Sequence, residues 1–257
     1  MSDALRAEWT KLRTLPSTGW LLAGAAGVTI TVSAIVAALF HLNTGSTADP
    51  AKLSLTGVQI GQAVIAVVAV LAVSEEYSTG MIRTTLAAMP RRHVLLAAKG
   101  VNLTGLTLLA GLIAVAGCLI AGRLLLPSAG INPAHGYALV SLSHGTTLRA
   151  AAGSVLYLVL IALLALGVAT AIRDTAASVG AVLGLLYLPP IAAQIVQDPT
   201  WQRHLEQIAP MTAGLAIQAT TNLRSEPIAP WSGLGVLAAW AAAALLIAGL
   251  LLRLRDA

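Results

Sequence analysis

Charge is what this sequence has least of. Asp, Glu, Lys and Arg make up only 10% of its 257 residues, against about 25% in soluble domains. A chain that is 57% hydrophobic lacks the polar side chains to cover a water-facing surface, so an ordinary soluble domain is excluded and lipid is the expected surroundings. Aromatic residues are also scarce, at 4%, while Ala, Leu and Gly dominate. That composition suits closely packed helices and not a membrane β-barrel, whose strands alternate apolar and polar residues. The single cysteine, Cys118, excludes an intramolecular disulfide and reads as a small core residue.

Catalytic signatures are missing too. No GxxxxGK[ST] phosphate loop occurs, so the chain is not expected to hydrolyse ATP alone. There is no GxSxG elbow and no HExxH zinc pair. Glu75-Glu76 invites comparison with intramembrane proteases carrying EExxxR, but Gly80 stands where the arginine is required and Arg83 comes three residues too late. His41, His93, His135, His144 and His204 are scattered without ligand spacing. No catalytic, cofactor-binding or metal-binding residue is expected. The net charge of +5 is read by its position around the spans rather than as a nucleic-acid footprint.

What is present is a series of apolar runs: Trp20–Phe40, Leu55–Val73, Val101–Gly122, Ala150–Ala171, Ala177–Val196 and Gly233–Leu252. Each is long enough to cross a hydrocarbon core about 30 Å thick. The expected fold is all-α: a single polytopic membrane domain over residues 1–257 with six transmembrane helices. The first run exceeds the about 7–15 residues of a signal-peptide core, so a retained helix is expected. Pro189-Pro190 interrupts the fifth. With the N-terminus cytosolic, the inner segments hold ten basic residues and the outer segments five, Lys52, Arg123, Arg149, Arg203 and Arg224. The positive-inside rule therefore places both termini in the cytosol. Ionisable residues are nearly absent from the spans, which argues against an ion-gradient-driven carrier or a cation channel. Gly57-x-x-x-Gly61 and Gly180-x-x-x-Gly184 permit close helix approach, and ordinary small-residue packing accounts for both.

Two amphipathic stretches flank this core. Before the first span (residues 1–19), Leu5, Trp9 and Leu12 fall on one helical face and Arg6, Thr10 and Arg13 on the other, with Pro16 ending the pattern. This suits an interfacial helix or a plain juxtamembrane anchor. The second lies within the loop 74–100. Gly80 can end the helix descending from the second span. Ile82, Leu86 and Met89 then share a face before Pro90 and Arg91-Arg92. From physics alone that face fits lipid or a groove on a cytosolic partner equally.

The loop resembles the first cytosolic loop of the ABC type 2 permease family, the membrane subunits of many bacterial ATP-binding-cassette exporters. The matching residues are Glu76, Gly80, Leu86, Pro90, Arg91, Arg92 and Lys99; Met81 stands where many relatives carry Thr. Leu148-Arg149, Gly153, Leu156-Tyr157, Arg173, Pro210 and Gly214 are similar to actinobacterial members. The resemblance implies a coupling helix within the loop 74–100, its coupling residues Glu76, Gly80, Ile82, Leu86, Met89, Pro90 and Arg91, seated on a separate cytosolic ATPase that binds ATP and magnesium. It also implies a second permease, identical or related, a connector helix bearing Leu5, Trp9 and Leu12, a segment within 197–232 that dips into the outer leaflet, export as the direction, and the bacterial plasma membrane as the location. A non-transporting scaffold or sensor is the alternative, and a membrane-embedded enzyme a more distant one. The apolar spans suggest a hydrophobic or amphipathic solute.

Overall fold

The computed structural model describes residues 16–40, 48–78, 92–131, 137 and 140–254, and among these every regular element is helical. Six long helices carry the fold: α1 (Pro16–Leu39), α3 (Val58–Ser78), α4 (Arg92–Leu125), α5 (Gly145–Ile172), α6 (Thr175–Ile195) and α9 (Pro230–Leu254). Three short ones lie between them: α2 (Pro50–Ser54), α7 (Pro199–Ile208) and α8 (Pro210–Leu215), the last continuing into a 3-10 turn at Ala216–Gln218. Five of the long helices, all but α3, are long and apolar enough to cross a membrane. In α3 the apolar stretch Val58–Ser74 is shorter. The chain is thus an all-α, multi-span membrane protein, and every apolar run read from the sequence is a helix here.

Helix boundaries differ from the expected spans in two places. α4 has 34 residues, about 51 Å at 1.5 Å per residue, well beyond the expected run. Polar residues stop an apolar run without stopping a helix, and the helix continues ahead of the run through Lys99, which is buried against neighbours. α6 runs unbroken through Pro189 and Pro190, so the expected interruption is absent. The prolines remove two backbone donors without ending the helix, an arrangement that spans tolerate when neighbouring groups compensate.

α5 is the centre of the bundle. Of its most apolar stretch 67% is buried, against 22% in α6 and 22% in α9. α9, α3, α4 and α6 all pack on it, and α1 packs outside α4 and α3. Hydroxyls inside the bundle bond back along their own helices: Thr29 Oγ1 to Ala25 O at 2.7 Å, Ser74 Oγ to Val70 O at 2.7 Å and Thr170 Oγ1 to Leu166 O at 2.8 Å. Such bonds satisfy polar atoms where no water is available.

Small residues set the helix spacings. A Cβ on Gly61 would sit 1.9 Å from Thr29 Oγ1, and the Gly57 N–H donates to Ser33 Oγ at 2.9 Å. The first GxxxG spacing therefore lies at the α1–α3 crossing. The second does not mark a crossing: Gly180 has no neighbour within 4 Å and Gly184 meets only Leu188 of its own helix. Gly167 of α5 packs against α9, where a Cβ would lie 2.7 Å from the Ala244 carbonyl carbon and 2.8 Å from Leu245 N. That obstacle is backbone and cannot rotate aside. Gly167→Val is expected to cost about 1–3 kcal/mol by forcing α5 and α9 apart. Gly180→Ala, which enters open space, is expected to leave stability within about 0.5 kcal/mol. Thermal unfolding of both variants in one detergent checks the contrast.

Candidate functional site

The residues that the sequence marks as a coupling loop fall in the chain at the end of α3 and between α3 and α4. α3 is described to Ser78 and α4 from Arg92. Glu76 is on the last turn of α3. Gly80, Ile82, Leu86, Met89, Pro90 and Arg91 lie outside the described residues, as do Leu5, Trp9 and Leu12. Lys99, the downstream basic residue of the pattern, is buried on α4, with its Nζ 3.5 Å from the Ala72 carbonyl of α3. It links the two helices a few turns from the connecting residues.

At the opposite end of these helices, the stretch after α7 is built into the bundle. Met211, Ala213, Ala216, Ile217, Gln218 and Ala219 are all buried, chiefly between α5 and α9. Its seat on α5 is a single helical face, Arg149, Gly153 and Tyr157, spaced four residues apart. The Arg149 guanidinium donates to the Ala219 carbonyl. Gly153 leaves room for Ile217, which a Cβ would meet at 2.0 Å. Gly214 lies against the Tyr157 ring, with a Cβ there 2.6 Å from Cε2. Three of the α5 residues that carried the resemblance, Arg149, Gly153 and Tyr157, thus form one seam with Gly214, while Leu148 and Leu156 are exposed. The ends of such short helices leave backbone groups without helical partners, and this seam buries them in protein, with the Arg149 guanidinium on the Ala219 carbonyl.

The seam continues into a neutral polar cluster. The buried Tyr157 hydroxyl donates to Gln62 Oε1. Gln62 Nε2 donates to the Gln59 carbonyl at 3.0 Å, and the half-buried Tyr187 hydroxyl donates to the same carbonyl at 2.7 Å. Beside it, Gln218 Nε2 donates to Ser154 Oγ at 3.1 Å. The cluster links α3, α5, α6 and the inserted stretch without a formal charge. Tyr187 sits two residues before the prolines of α6, so its bond to α3 holds that helix where its own hydrogen bonding is weakest.

A third constellation straps the inserted stretch to the loop between α1 and α3. Asp49 caps α2, accepting from Lys52 N at 3.1 Å. Its carboxylate also accepts from Thr220 N at 2.5 Å, Thr220 Oγ1 at 2.6 Å and Thr221 N at 3.0 Å. Lys52 Nζ pairs with Glu226 at 2.5 Å. Between the strap and the bundle lies an open cavity of about 410 Å³ bounded by Phe40, Asp49, Lys52, Asn222 and Glu226. Burial pushes the Asp49 carboxyl up. The Thr220 hydroxyl and the backbone N–H groups of Thr220, Lys52 and Thr221 outweigh that effect, so it titrates below its ordinary 3.8. Among the described residues, no group of His, Cys, Asp or Glu could hold a metal ion.

Gln59, Gln62, Tyr187 and Asp49 escape a search confined to ionisable residues within the spans. The signal available was Gln62 in an apolar run, an amide needing a partner in lipid; Gln59 contributes only its backbone carbonyl.

Two outcomes test these assignments. Tyr157→Phe leaves Gln62 Oε1 without its donor and is expected to cost about 1–3 kcal/mol, whereas Tyr157→Phe combined with Gln62→Leu removes both partners and recovers part of that loss. A double-mutant cycle on thermal unfolding reads the coupling. For Asp49 the folded-state value is depressed. Its contribution is therefore complete above 3.8 and is lost as pH falls through the lower, folded value. Asp49→Asn is expected to lower neutral-pH stability by roughly 1.5 kcal/mol, the low end for a charged acceptor because the group is half exposed. The variant should also flatten the acid limb of a plot of melting temperature against pH.

Compared with protein-family models and with curated proteins, the sequence matches none. What sequence and structure together establish is an all-α membrane protein with multiple spans, carrying one polar seam inside its bundle.

Proposed function

We propose that this chain is the membrane-spanning permease subunit of an ABC exporter. It has six spans and cytosolic termini, and works as a pair, with an identical or related permease, on two copies of a separate ATPase that binds ATP and magnesium. The observation that carries this reading is the residue pattern Glu76, Gly80, Leu86, Pro90, Arg91, Arg92 and Lys99, set between two helices whose bases Lys99 joins. A force applied to residues between α3 and α4 reaches α5, on which both helices pack, and through α5 the inserted stretch at the far end. This is the mechanical link a subunit without its own phosphate loop requires.

The spans offer apolar walls and few charges, which supports a hydrophobic or amphipathic solute, because a charged one would find little compensating charge there. Export rests on the family resemblance.

The test is Leu86→Asp. If the face of Ile82, Leu86 and Met89 fills a groove on the ATPase, losing Leu86 removes about 1.5–3 kcal/mol and places a charge in that groove. Each 1.4 kcal/mol weakens association about tenfold. Wild-type chain pulled down from native membranes should bring a protein with a phosphate-binding loop, and the variant should not, while still inserting in the membrane. Wild-type ATPase recovery together with wild-type transport in the variant would withdraw the coupling assignment. Recovery of an ATPase with no transport by the wild-type complex in vesicles would favour a scaffold.

A further inference from the structure

α7 is built inside out for a helix in water. Its apolar residues Trp201, Leu205 and Ile208 share one face, and Gln202, Arg203, Glu206 and Gln207 share the other. A surface helix of a soluble protein turns the first face inward. Here Trp201 is 65% and Ile208 60% exposed and Leu205 is half-buried, while on the polar face Gln202, Glu206 and Gln207 are half-buried and Arg203 is exposed. The Gln207 side chain ties the polar face to the protein, and a backbone carbonyl adds a second bond. Gln207 Nε2 donates to the Pro227 carbonyl at 2.8 Å, and the Glu206 carbonyl accepts from Thr212 Oγ1 at 2.7 Å. No residue of α7 is fully buried.

We propose that α7 lies along the bilayer–water interface, on the side of the bundle that carries Asp49, with Trp201, Leu205 and Ile208 in the upper acyl chains. Three observations select lipid as the occupant. The outward face of α7 follows directly on that of α6, where Leu188, Ile191 and Ile195 are exposed on a helix apolar enough to span. The start of α9 on the same side presents exposed Trp231, and tryptophan concentrates at the interface because its ring is apolar and its N–H is not. Trp240, about 14 Å further along α9, donates its Nε1 to the Ile208 carbonyl at 3.0 Å and ties the end of α7 to that helix. Finally, α7 has 10 residues, about 15 Å of helix, too short to cross the core, and it buries no side chain that would anchor it inside the protein. The N-terminus is compatible with headgroup depth, since the exposed Asp198 side chain accepts from Thr200 N at 2.8 Å. Arg203 and His204, both exposed, sit at the polar margin, where long basic side chains reach water.

The proposal is independent of the transport reading. The experiment uses the full chain with Trp9, Trp20, Trp231 and Trp240 changed to Phe, reconstituted in phosphatidylcholine vesicles. Nitroxide is placed either near the top of the acyl chain or near its terminal methyl. Emission from Trp201 should be blue-shifted, quenched several-fold more by the shallow nitroxide than by the deep one, and little affected by aqueous iodide. That pattern matches a helix buried about 5–10 Å into the headgroup–acyl boundary. Strong iodide quenching would place the face in water. Protection from both lipid nitroxide and iodide would place it against protein, such as a second copy of the chain. Strongest quenching by the deep nitroxide would place it in the core. Each of these three results overturns the proposal. If the fourfold Phe variant does not fold, a spin label at Ile208→Cys in a Cys118→Ser background decides the same question: greater accessibility to oxygen than to a water-soluble nickel complex is expected, and the reverse overturns the proposal.

Discussion

Inside a bilayer no water is available to a backbone or side-chain polar group, and nearly every feature of this bundle follows from that constraint. Thr29, Ser74 and Thr170 return their hydroxyls to their own helices. Ser33 receives the N–H that precedes the first turn of α3. Tyr157 and Gln62, both fully buried, satisfy each other. The same rule bears on the stretch from Pro210 to Ala219, a short helix and a 3-10 turn whose ends lack the bonds of a long helix, and which α5 and α9 enclose.

The seam on α5 shows how few residues that enclosure requires. Arg149 fixes the far end of the stretch at Ala219, while glycines at 153 and 214 let Ile217 and the Tyr157 ring come close. The order is set by the four-residue spacing on one helix face, so a single element positions the whole segment. The strap from Asp49 then holds the following residues, Thr220 and Thr221, from the other side. The inserted stretch is therefore gripped between a span and a loop, with the Lys52–Glu226 pair at its exposed rim.

Much of the fold is legible from hydrophobicity, because helix-length apolar runs have few alternative structures in lipid. The runs at Trp20, Ala150 and Gly233 correspond closely to α1, α5 and α9. Boundaries are less legible where helicity and apolarity part company. α4 extends past its apolar run through Lys99, which is buried by neighbours that a sequence does not reveal. Pro189-Pro190 reads as an interruption because propensity treats the helix alone, whereas Tyr187 ties it to Gln59. Pro210 and Gly214 mark the outer segment as broken, but they hide α7 just before them, since ten residues with a period of 3.6 are easily lost between two spans. Of the site, the resemblance picks out Arg149, Gly153, Tyr157 and Gly214 individually. That they form one seam emerges only when α5 and the segment some sixty residues later are brought together.

The turn between α5 and α6 has a consequence for how the protein is made. Only Arg173, in the left-handed region at φ 65°, and Asp174, whose side chain caps α6 through Ala177 N at 2.7 Å, separate the two helices. So short a connection obliges them to run antiparallel and adjacent. The two helices therefore form one hairpin, a unit able to enter the bilayer together, with the prolines of α6 on a helix already packed beside α5.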